Sequence, residues 1–165
     1  MTSSTDCVEK KLLLRAPINR VWQAIADSTA FGDWFGMEFP EPFAAGSVAK
    51  GCIRPTKCDD DVAAAQARYD GMPLELHIEQ IEPMRLFSYR WHPFAIDASV
   101  DYSNEPMTLV TFELEPAEGG TLLTVRESGF DALPLGRRTD AFEANEEGWG
   151  AIVPLVGKYL SARLA

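Results

Sequence analysis

The 165-residue sequence predicts an α+β fold in which antiparallel strands lie against one long C-terminal helix. The predicted strands follow one another in the middle of the chain, whereas the predicted helices lie at its two ends, as in α+β proteins. Within residues 134–164, apolar residues recur at spacings of three, four and seven, as on one face of an amphipathic helix. These apolar residues are Phe142, Trp149, Val153, Val156, Leu160 and Leu164.

One strand and two short helices are predicted at the start of the chain. Apolar and polar residues alternate over residues 7–15, which indicates a strand. Pro17 suits the first turn of a helix, and the apolar face that follows it ends near Asp27. Ser28 is of a residue type that caps helices, so we expect it to cap the second short helix. That helix carries the aromatic residues Phe31, Trp34 and Phe35.

Five further strands and two long connections are predicted in the middle of the chain. Residues 55–73 contain three adjacent aspartates but lack the alternating ligands and the central glycine of a calcium loop, so we expect a solvated loop. Residues 92–106 contain two prolines and no periodicity, and connections of this length are typical of functional lids or mobile loops. The strands are predicted at residues 47–54, 74–82, 85–91, 108–115 and 121–127.

The long C-terminal helix contains a proline that is expected to interrupt it. Pro154 lacks a backbone donor and crowds the carbonyl group of Gly150, which costs roughly 3 kcal/mol in a straight helix interior. We therefore expect either a kink or two segments, the second of which begins at Pro154. Next to its apolar stripe the helix presents Ala141, Asn145 and Gly148, which are small or short. Such a face indicates either a close backbone contact or an unfilled space.

Charge and composition restrict the classes of function. The chain carries 25 acidic and 15 basic residues, a net charge of −10, which argues against binding to nucleic acid or to anionic membrane surfaces. No stretch approaches the roughly 18 apolar residues of a membrane span, so membrane insertion is not expected. Cys7, Cys52 and Cys58 do not have the spacing of metal ligands. We therefore expect a cytoplasmic protein with no metal site and no cofactor.

Four segments of the sequence resemble a known family. They are RAPINRVWQAIADSTAFGDWFG, IEQIEPMRLFSYRW, TLVTFELEPAEGGTLLTVRESGF and RRTDAFEANEEGWGAIVPLVGKYL. Together they resemble bacterial homologues of the activator of heat-shock protein 90 ATPase, which belong to the START-like (SRPBCC, Bet v 1-like) superfamily. The resemblance covers about residues 8–160. It implies a helix-grip fold, in which a curved antiparallel sheet surrounds the C-terminal helix and two short helices close one end.

The resemblance also implies one START-like domain over residues 7–165, and residues 1–6 are expected to be a flexible tail. Proteins of this superfamily commonly hold a hydrophobic cavity between the sheet and the long helix, and many of them self-associate. The superfamily does not imply one function, because its members include ligand carriers, cyclase-like enzymes, stress-resistance proteins and chaperone activators. The sequence is compatible with both a monomer and a homodimer.

A cavity at that place would be lined by aromatic side chains and a few polar groups. The predicted aromatic residues are Trp34, Tyr89, Trp91, Phe112, Phe130 and Trp149, and Glu127, Asn145 and Gly148 complete the predicted lining. A mostly apolar lining with a few polar groups is usual for small-molecule sites. Two alternatives stay open: these aromatic side chains simply fill the core, and Asn145 satisfies a buried turn instead of contacting a ligand.

Glu127 is the carboxylate to which the sequence draws attention. The alternation of Leu123 and Val125 places Glu127 on the inner face of its strand, where a partly buried acid has a raised pKa unless donors pair with it. It is therefore either a polar anchor or proton acceptor at the cavity mouth, or a structural acid at the Ser128–Gly129 turn. Asp131 is expected to cap the final helix.

Three functional hypotheses follow. The first is a binding protein for a small apolar or aromatic molecule, which the aromatic inner face and the small helix face support. The second is a cyclase-like or hydrolytic enzyme that uses Glu127, with His92 or Tyr89 as the partner acid or base. The third is a protein that activates a chaperone by binding it. The sequence contains no nucleophile elbow, phosphate loop or dinucleotide fingerprint, so the binding protein ranks first.

Overall fold

The computed structural model describes residues 6–95 and 99–164. The predicted flexible tail, apart from Asp6, lies outside the described residues, as does the side chain of Leu164. Asp6 is hydrogen-bonded to the segment that follows the last strand: its backbone carbonyl group accepts from Gly129 N at 3.2 Å, and its carboxylate accepts from Asp131 N at 3.1 Å.

The described chain forms a curved sheet of seven antiparallel strands in the order β1-β7-β6-β5-β4-β3-β2. The predicted α+β helix-grip fold is thereby confirmed. Six of the strands match predicted ones, whereas the two-residue strand β2 was not predicted because it is too short to show an alternation. The strands are β1 (Cys7–Leu14), β2 (Met37–Glu38), β3 (Val48–Ile53), β4 (Pro73–Glu82), β5 (Leu86–Trp91), β6 (Thr108–Ala117) and β7 (Gly120–Ser128).

Five α-helices accompany the sheet: α1 (Ile18–Ala26), α2 (Ser28–Phe35), α3 (Asp60–Gln66), α4 (Leu135–Ile152) and α5 (Pro154–Leu164). Helices α4 and α5 divide the predicted C-terminal helix as expected, since Pro154 begins the second segment. Val153, between the two, keeps helical dihedral angles, and its N–H donates to the carbonyl group of Trp149 at 2.9 Å. The backbone therefore stays helical between the two segments, with one backbone hydrogen bond missing at the proline.

Three local predictions are corrected by the structure. Asp27, not Ser28, caps α2, because its carboxylate accepts a hydrogen bond from Ala30 N at 2.8 Å. Asp131 lies in a 3₁₀ turn (Phe130–Ala132), and Pro134 is the residue that precedes α4. The predicted loop at 55–73 contains α3, whose first turn is capped by Asp59 through two backbone N–H groups.

The core is an aromatic cluster between the sheet and the two N-terminal helices. Phe31 of α2 is fully buried and makes ring contacts with Trp34, with Tyr89 of β5 and with Phe112 of β6, at centroid distances of 4.9, 6.4 and 5.9 Å. The indole N–H of Trp34 donates to the carbonyl group of Ala24 at 2.8 Å, which fixes α2 against α1. This cluster fills the end of the fold that the two short helices close.

Strand β7 places its carboxylate inside the fold. Leu123, Val125 and Glu127 are all buried, as the alternation along β7 predicts. The end of β1 lies close to the turn between β6 and β7, because a side chain at Gly120 would lie 1.9 Å from the carbonyl oxygen of Leu14. Glu127 lies opposite Val8 of β1 on one side and Val110 of β6 on the other. It therefore occupies a fully paired strand in the interior of the sheet.

Candidate ligand-binding cavity

A cavity of about 630 Å³ lies between α4 and the β3–β4–β5 part of the sheet. The end of α2 and the connection after β5 complete its walls. Its apolar lining includes Phe35, Met37, Leu74, Trp91, Trp149 and Ile152. Its polar lining includes Gln66, Glu75, His92, Asp101, Tyr102 and Asn145.

Four of the predicted lining residues meet at this cavity. Trp91 comes from the end of β5, and Asn145, Gly148 and Trp149 come from α4. Because residues three and four apart share a helix face, the three α4 residues are presented together. A Cβ atom built on Gly148 meets no atom within 4 Å, so the missing side chain leaves open space at the cavity wall.

The other predicted aromatic residues lie in the packed core and do not line this cavity. Trp34, Tyr89, Phe112 and Phe130 are each 0% exposed. The first three pack around Phe31, and Phe130 packs against Phe142 of α4 at a centroid distance of 5.4 Å. These rings do point inward, but other side chains fill the space that they face: Phe31 of α2 for the first three and Phe142 of α4 for Phe130.

Glu127 is fully buried and accepts four hydrogen bonds, two on each carboxylate oxygen. Oε2 accepts from the indole N–H of Trp91 at 2.7 Å and from the hydroxyl group of Thr108 at 2.5 Å. Oε1 accepts from the side-chain amide of Asn145 and from the indole N–H of Trp149, both at 2.8 Å. The carboxylate is thus bonded to three residues that line the cavity, although it does not line the cavity itself.

Burial and hydrogen bonding act in opposite directions on the ionisation of Glu127. Removal from water raises the pKa of the carboxyl group above its ordinary value, and the four donors, of which Thr108 has the largest effect, partly offset this rise. Indole and amide N–H groups only donate, so three of the four partners match the ionised, acceptor-only form. No Lys or Arg forms an ion pair with Glu127 in the part of the chain that the structure describes.

The three residues of the enzyme hypothesis lie in different environments. The Tyr89 hydroxyl group is buried and has no hydrogen-bond partner among residues 6–95 and 99–164. Burial, followed by the charge of Glu127, raises its pKa well above the usual value. His92 lines the cavity, and its Nε2 lies 3.2 Å from the carbonyl oxygen of Glu105. Of the three, only His92 has access to the cavity, and both oxygens of Glu127 are already occupied.

Arg137, in the first turn of α4, fixes the connection that borders the cavity. Its guanidinium group donates to Glu105 at 2.8 Å and to the carbonyl groups of Phe94 and Pro93, each at 3.0 Å. It also lies 4.7 Å from the ring centroid of Tyr102, a cavity residue. The sequence does not indicate these contacts, because the hydrogen-bonded partners are 32 to 44 positions away and follow no pattern.

Several cavity residues were not predicted. Phe35 comes from the last turn of α2, Leu74 and Glu75 come from β4, and Tyr69 comes from a 3₁₀ turn within the segment predicted to be a loop. For Tyr69 the signal was the unusual length of the connection at 55–73, and the connection at 92–106 likewise contributes lining residues. Phe35, Leu74 and Glu75 lie outside both connections, and nothing in the sequence marked them as cavity residues.

Among the described helices, none is both long enough and apolar enough to cross a membrane. Residues 6–95 and 99–164 likewise contain no group of three or more His, Cys, Asp or Glu side chains arranged to hold a metal ion.

Comparisons with known proteins extend the resemblance in the sequence. A family model described as "Activator of Hsp90 ATPase homolog 1-like protein" matches residues 15–160. No curated protein matches the sequence.

Solved structures share the fold at low sequence identity. A protein from Arthrobacter aurescens superposes with a TM-score of 0.73 at 16% identity, covering 98% of this chain and 90% of that one. A protein from Mesorhizobium loti gives 0.67 at 21% identity, covering 94% and 97%. DynU16, a protein in the dynemicin biosynthetic locus, gives 0.66 at 22% identity, covering 94% of this chain and 47% of its own. The chain thus spans about half the length of DynU16, and these similarities establish the fold alone.

Proposed function

Because the chain belongs to the Activator of Hsp90 ATPase homolog 1-like protein family, which has a ligand-binding fold, we propose that it binds a small apolar or aromatic molecule between α4 and the sheet. The observation that carries this proposal is the cavity of about 630 Å³. Small-molecule sites have volumes of roughly 300–1,000 Å³ and are lined mostly by apolar and aromatic side chains with a few polar groups. The cavity has both properties.

The way in which the cavity wall is held supports binding. Trp91 and Trp149 are fixed by hydrogen bonds to a buried carboxylate, so their rings do not have to be ordered when a ligand enters. Pre-organised side chains avoid the entropic cost of ordering on binding, which is roughly 0.5–1.5 kcal/mol for each immobilised side chain. The open space at Gly148 leaves room for the ligand on the helix side of the cavity.

The same geometry favours binding over catalysis by Glu127. A general base must reach the proton that it removes, within about 2.6–3.2 Å or through one water molecule. Glu127 is 0% exposed and lies behind the cavity lining, with both oxygens bonded to neighbouring side chains. Its contribution to the proposed function is to position the lining.

A filled cavity is the direct test of the proposed function. Gly148→Leu places a side chain in the open space at the cavity wall, so we expect it to weaken binding of the neutral dye Nile red at least tenfold, measured by the increase in dye fluorescence. Gly136→Leu is the matched control, because Gly136 is exposed on the same helix, has open space around its Cβ position and lies outside the cavity. Equal affinities of both variants and the wild type would contradict the proposed site.

Native mass spectrometry of the purified protein gives the identity of a bound molecule. We expect a stoichiometric small molecule to remain bound under native conditions and to be released by denaturation. Its absence from the Gly148→Leu protein and its presence in the Gly136→Leu protein would assign it to this cavity.

A further inference from the structure

We propose that the ligand of this cavity is an apolar or aromatic molecule that carries a positive charge, such as a protonated amine. The inference rests on the proposed function and specifies the chemical class of its ligand. Three independent features of the described residues lead to it: the charges of the lining, a buried carboxylate behind the lining, and the arrangement of the aromatic rings.

The charged side chains that line the cavity are acidic. Glu75 of β4 and Asp101 of the connection after β5 contribute carboxylates, and no Lys or Arg is among the described lining residues. His77 Nε2 lies 3.7 Å from the Glu75 carboxylate, so this pair is an ion pair only when the histidine is protonated. The lining therefore offers no fixed cation to an anionic ligand but two carboxylates to a cationic one.

Two arginines beside the cavity are already paired with acids, whereas a third, Arg68, lies over the ring of the cavity residue Tyr69, with its guanidinium carbon 4.8 Å from the ring centroid. Arg137, which contacts the cavity residue Tyr102, donates to Glu105 at 2.8 Å. Arg54, next to the cavity residue Ile53, forms ion pairs with Asp70 at 2.6 Å and with Glu38. These pairs reduce the attraction of either guanidinium group for an anionic ligand.

Glu127 adds a third carboxylate, directly behind the aromatic wall. It bonds to Trp91, Asn145 and Trp149, all of which line the cavity, and its partners are neutral donors. A buried negative charge without a cationic partner is energetically unfavourable. A cation in the cavity would be separated from the Glu127 carboxylate by the lining side chains alone and would compensate its charge. The low dielectric constant of the protein interior strengthens this attraction.

The aromatic rings at the wall are arranged for contact with a cation. Phe35, Trp91 and Trp149 contact one another at centroid distances of 5.5–6.0 Å. Because the N–H groups of both indoles are bonded to Glu127, these two rings offer the cavity ring carbon atoms and not hydrogen-bond donors. Trp is the side chain with the strongest cation–π attraction, and desolvation increases that attraction.

The test compares three ligands with the same indole ring and different charges: tryptamine, which is cationic, tryptophol, which is neutral, and indolepropionate, which is anionic. Isothermal titration calorimetry at pH 7 measures their affinities for the wild-type protein. We expect tryptamine to bind about tenfold more tightly than tryptophol, and indolepropionate to bind most weakly. Equal or weaker binding of tryptamine compared with tryptophol overturns the inference.

Charge-removal variants locate the origin of the preference. The double variant Glu75→Gln/Asp101→Asn retains the size of both side chains. We expect its affinity for tryptamine to fall about two- to fivefold for each charge removed. Its affinity for tryptophol should be unchanged. Glu143→Gln/Glu146→Gln is the matched control, because these two exposed acids of α4 lie outside the cavity lining and change the net charge equally. An equal loss in both double variants overturns the inference, because the preference would then reflect net charge alone.

The outcomes separate this inference from the proposed function. If tryptophol and tryptamine bind equally and Gly148→Leu abolishes both, the cavity binds apolar ligands and the inference about charge is wrong. If none of the three ligands binds and Nile red binds equally to wild type and Gly148→Leu, both proposals are wrong.

Discussion

At the scale of single residues, Glu127 determines how the cavity wall is built. Its four donors come from different parts of the chain: Trp91 from β5, Thr108 from the start of β6, and Asn145 and Trp149 from α4. One carboxylate thereby connects the sheet to the long helix. Buried polar groups that are fully hydrogen-bonded make a core rigid and specific, whereas a group left without partners is costly.

Replacement of Glu127 by glutamine should disturb this network. Glutamine presents an N–H₂ group where the carboxylate accepts hydrogen bonds, so the indole N–H of Trp91 or of Trp149 loses its acceptor. We expect Glu127→Gln to lower the free energy of unfolding by about 1–3 kcal/mol, measured by urea denaturation, and to weaken Nile red binding. Glu115→Gln, at an exposed acid of the neighbouring strand β6, is the control. Wild-type dye affinity in Glu127→Gln would contradict the positioning role.

At the scale of secondary-structure elements, the site depends on where the helices begin and end. Helix α2 delivers Phe35 to the cavity from its last turn, and α4 delivers Asn145 and Trp149 from successive turns of one face. Arg137, in the first turn of α4, fixes the connection that contributes His92. Phe35 and Arg137 act at the cavity because they lie in a terminal turn of their helix. Asn145 and Trp149 do so because they share one face of α4.

The cap of α2 gives a test at this scale. The Asp27 carboxylate accepts from Ala30 N and satisfies one of the free backbone donors at the helix start. We expect Asp27→Ala to lower the free energy of unfolding by about 1 kcal/mol. We expect Asp27→Asn to have nearly the stability of the wild type, because asparagine also caps helices. Thermal unfolding followed by circular dichroism measures both. Equal stability of the alanine variant and the wild type would contradict the capping role.

At the scale of the whole molecule, the buried carboxylate influences how stability depends on pH. Burial raises the pKa of Glu127 above its ordinary value of 4.5, so between these two values the folded protein binds more protons at this group than the unfolded chain does. The contribution of Glu127 protonation to the free energy of unfolding is fully present below the ordinary pKa. It is lost as the pH rises through the raised pKa of the folded state. The half-buried Asp59, whose pKa is lowered chiefly by its hydrogen bond to Lys158, acts in the opposite direction.

The contribution of Glu127 is isolated by a comparison of two proteins. The free energies of unfolding of the wild type and Glu127→Gln are measured by urea denaturation from pH 4.5 to 8. Because all other acids are common to both proteins, the advantage of the wild type over the variant should decrease as the pH rises. An advantage that increases with pH would mean that the four hydrogen bonds outweigh burial and lower the pKa.

The sequence alone was sufficient for most of the fold because local periodicity reports which face of an element is buried. Alternation along β7 placed Glu127 inside, and a spacing of three to four placed Asn145, Gly148 and Trp149 close together on one helix. Helix α3 was missed because residues 60–66 are half polar and contribute no fully buried side chain, so they show no apolar stripe. The sequence predicted the break before Pro154 because proline lacks the backbone N–H group that a helix interior uses.

The sequence by itself determined the fold class, the order of the six longer strands and of the N- and C-terminal helices, and the inward orientation of Glu127. All of these depend on residues close together in the chain. The tertiary structure alone decided which inward aromatic residues border a cavity and which fill the core. Trp91 and Tyr89 are two positions apart on one strand, yet only Trp91 lines the cavity, because Tyr89 is fully buried in the core against Phe31 of α2, whereas Trp91 lies at the end of β5. Open volume depends on how separate elements pack, and neighbouring residues in the chain do not specify it.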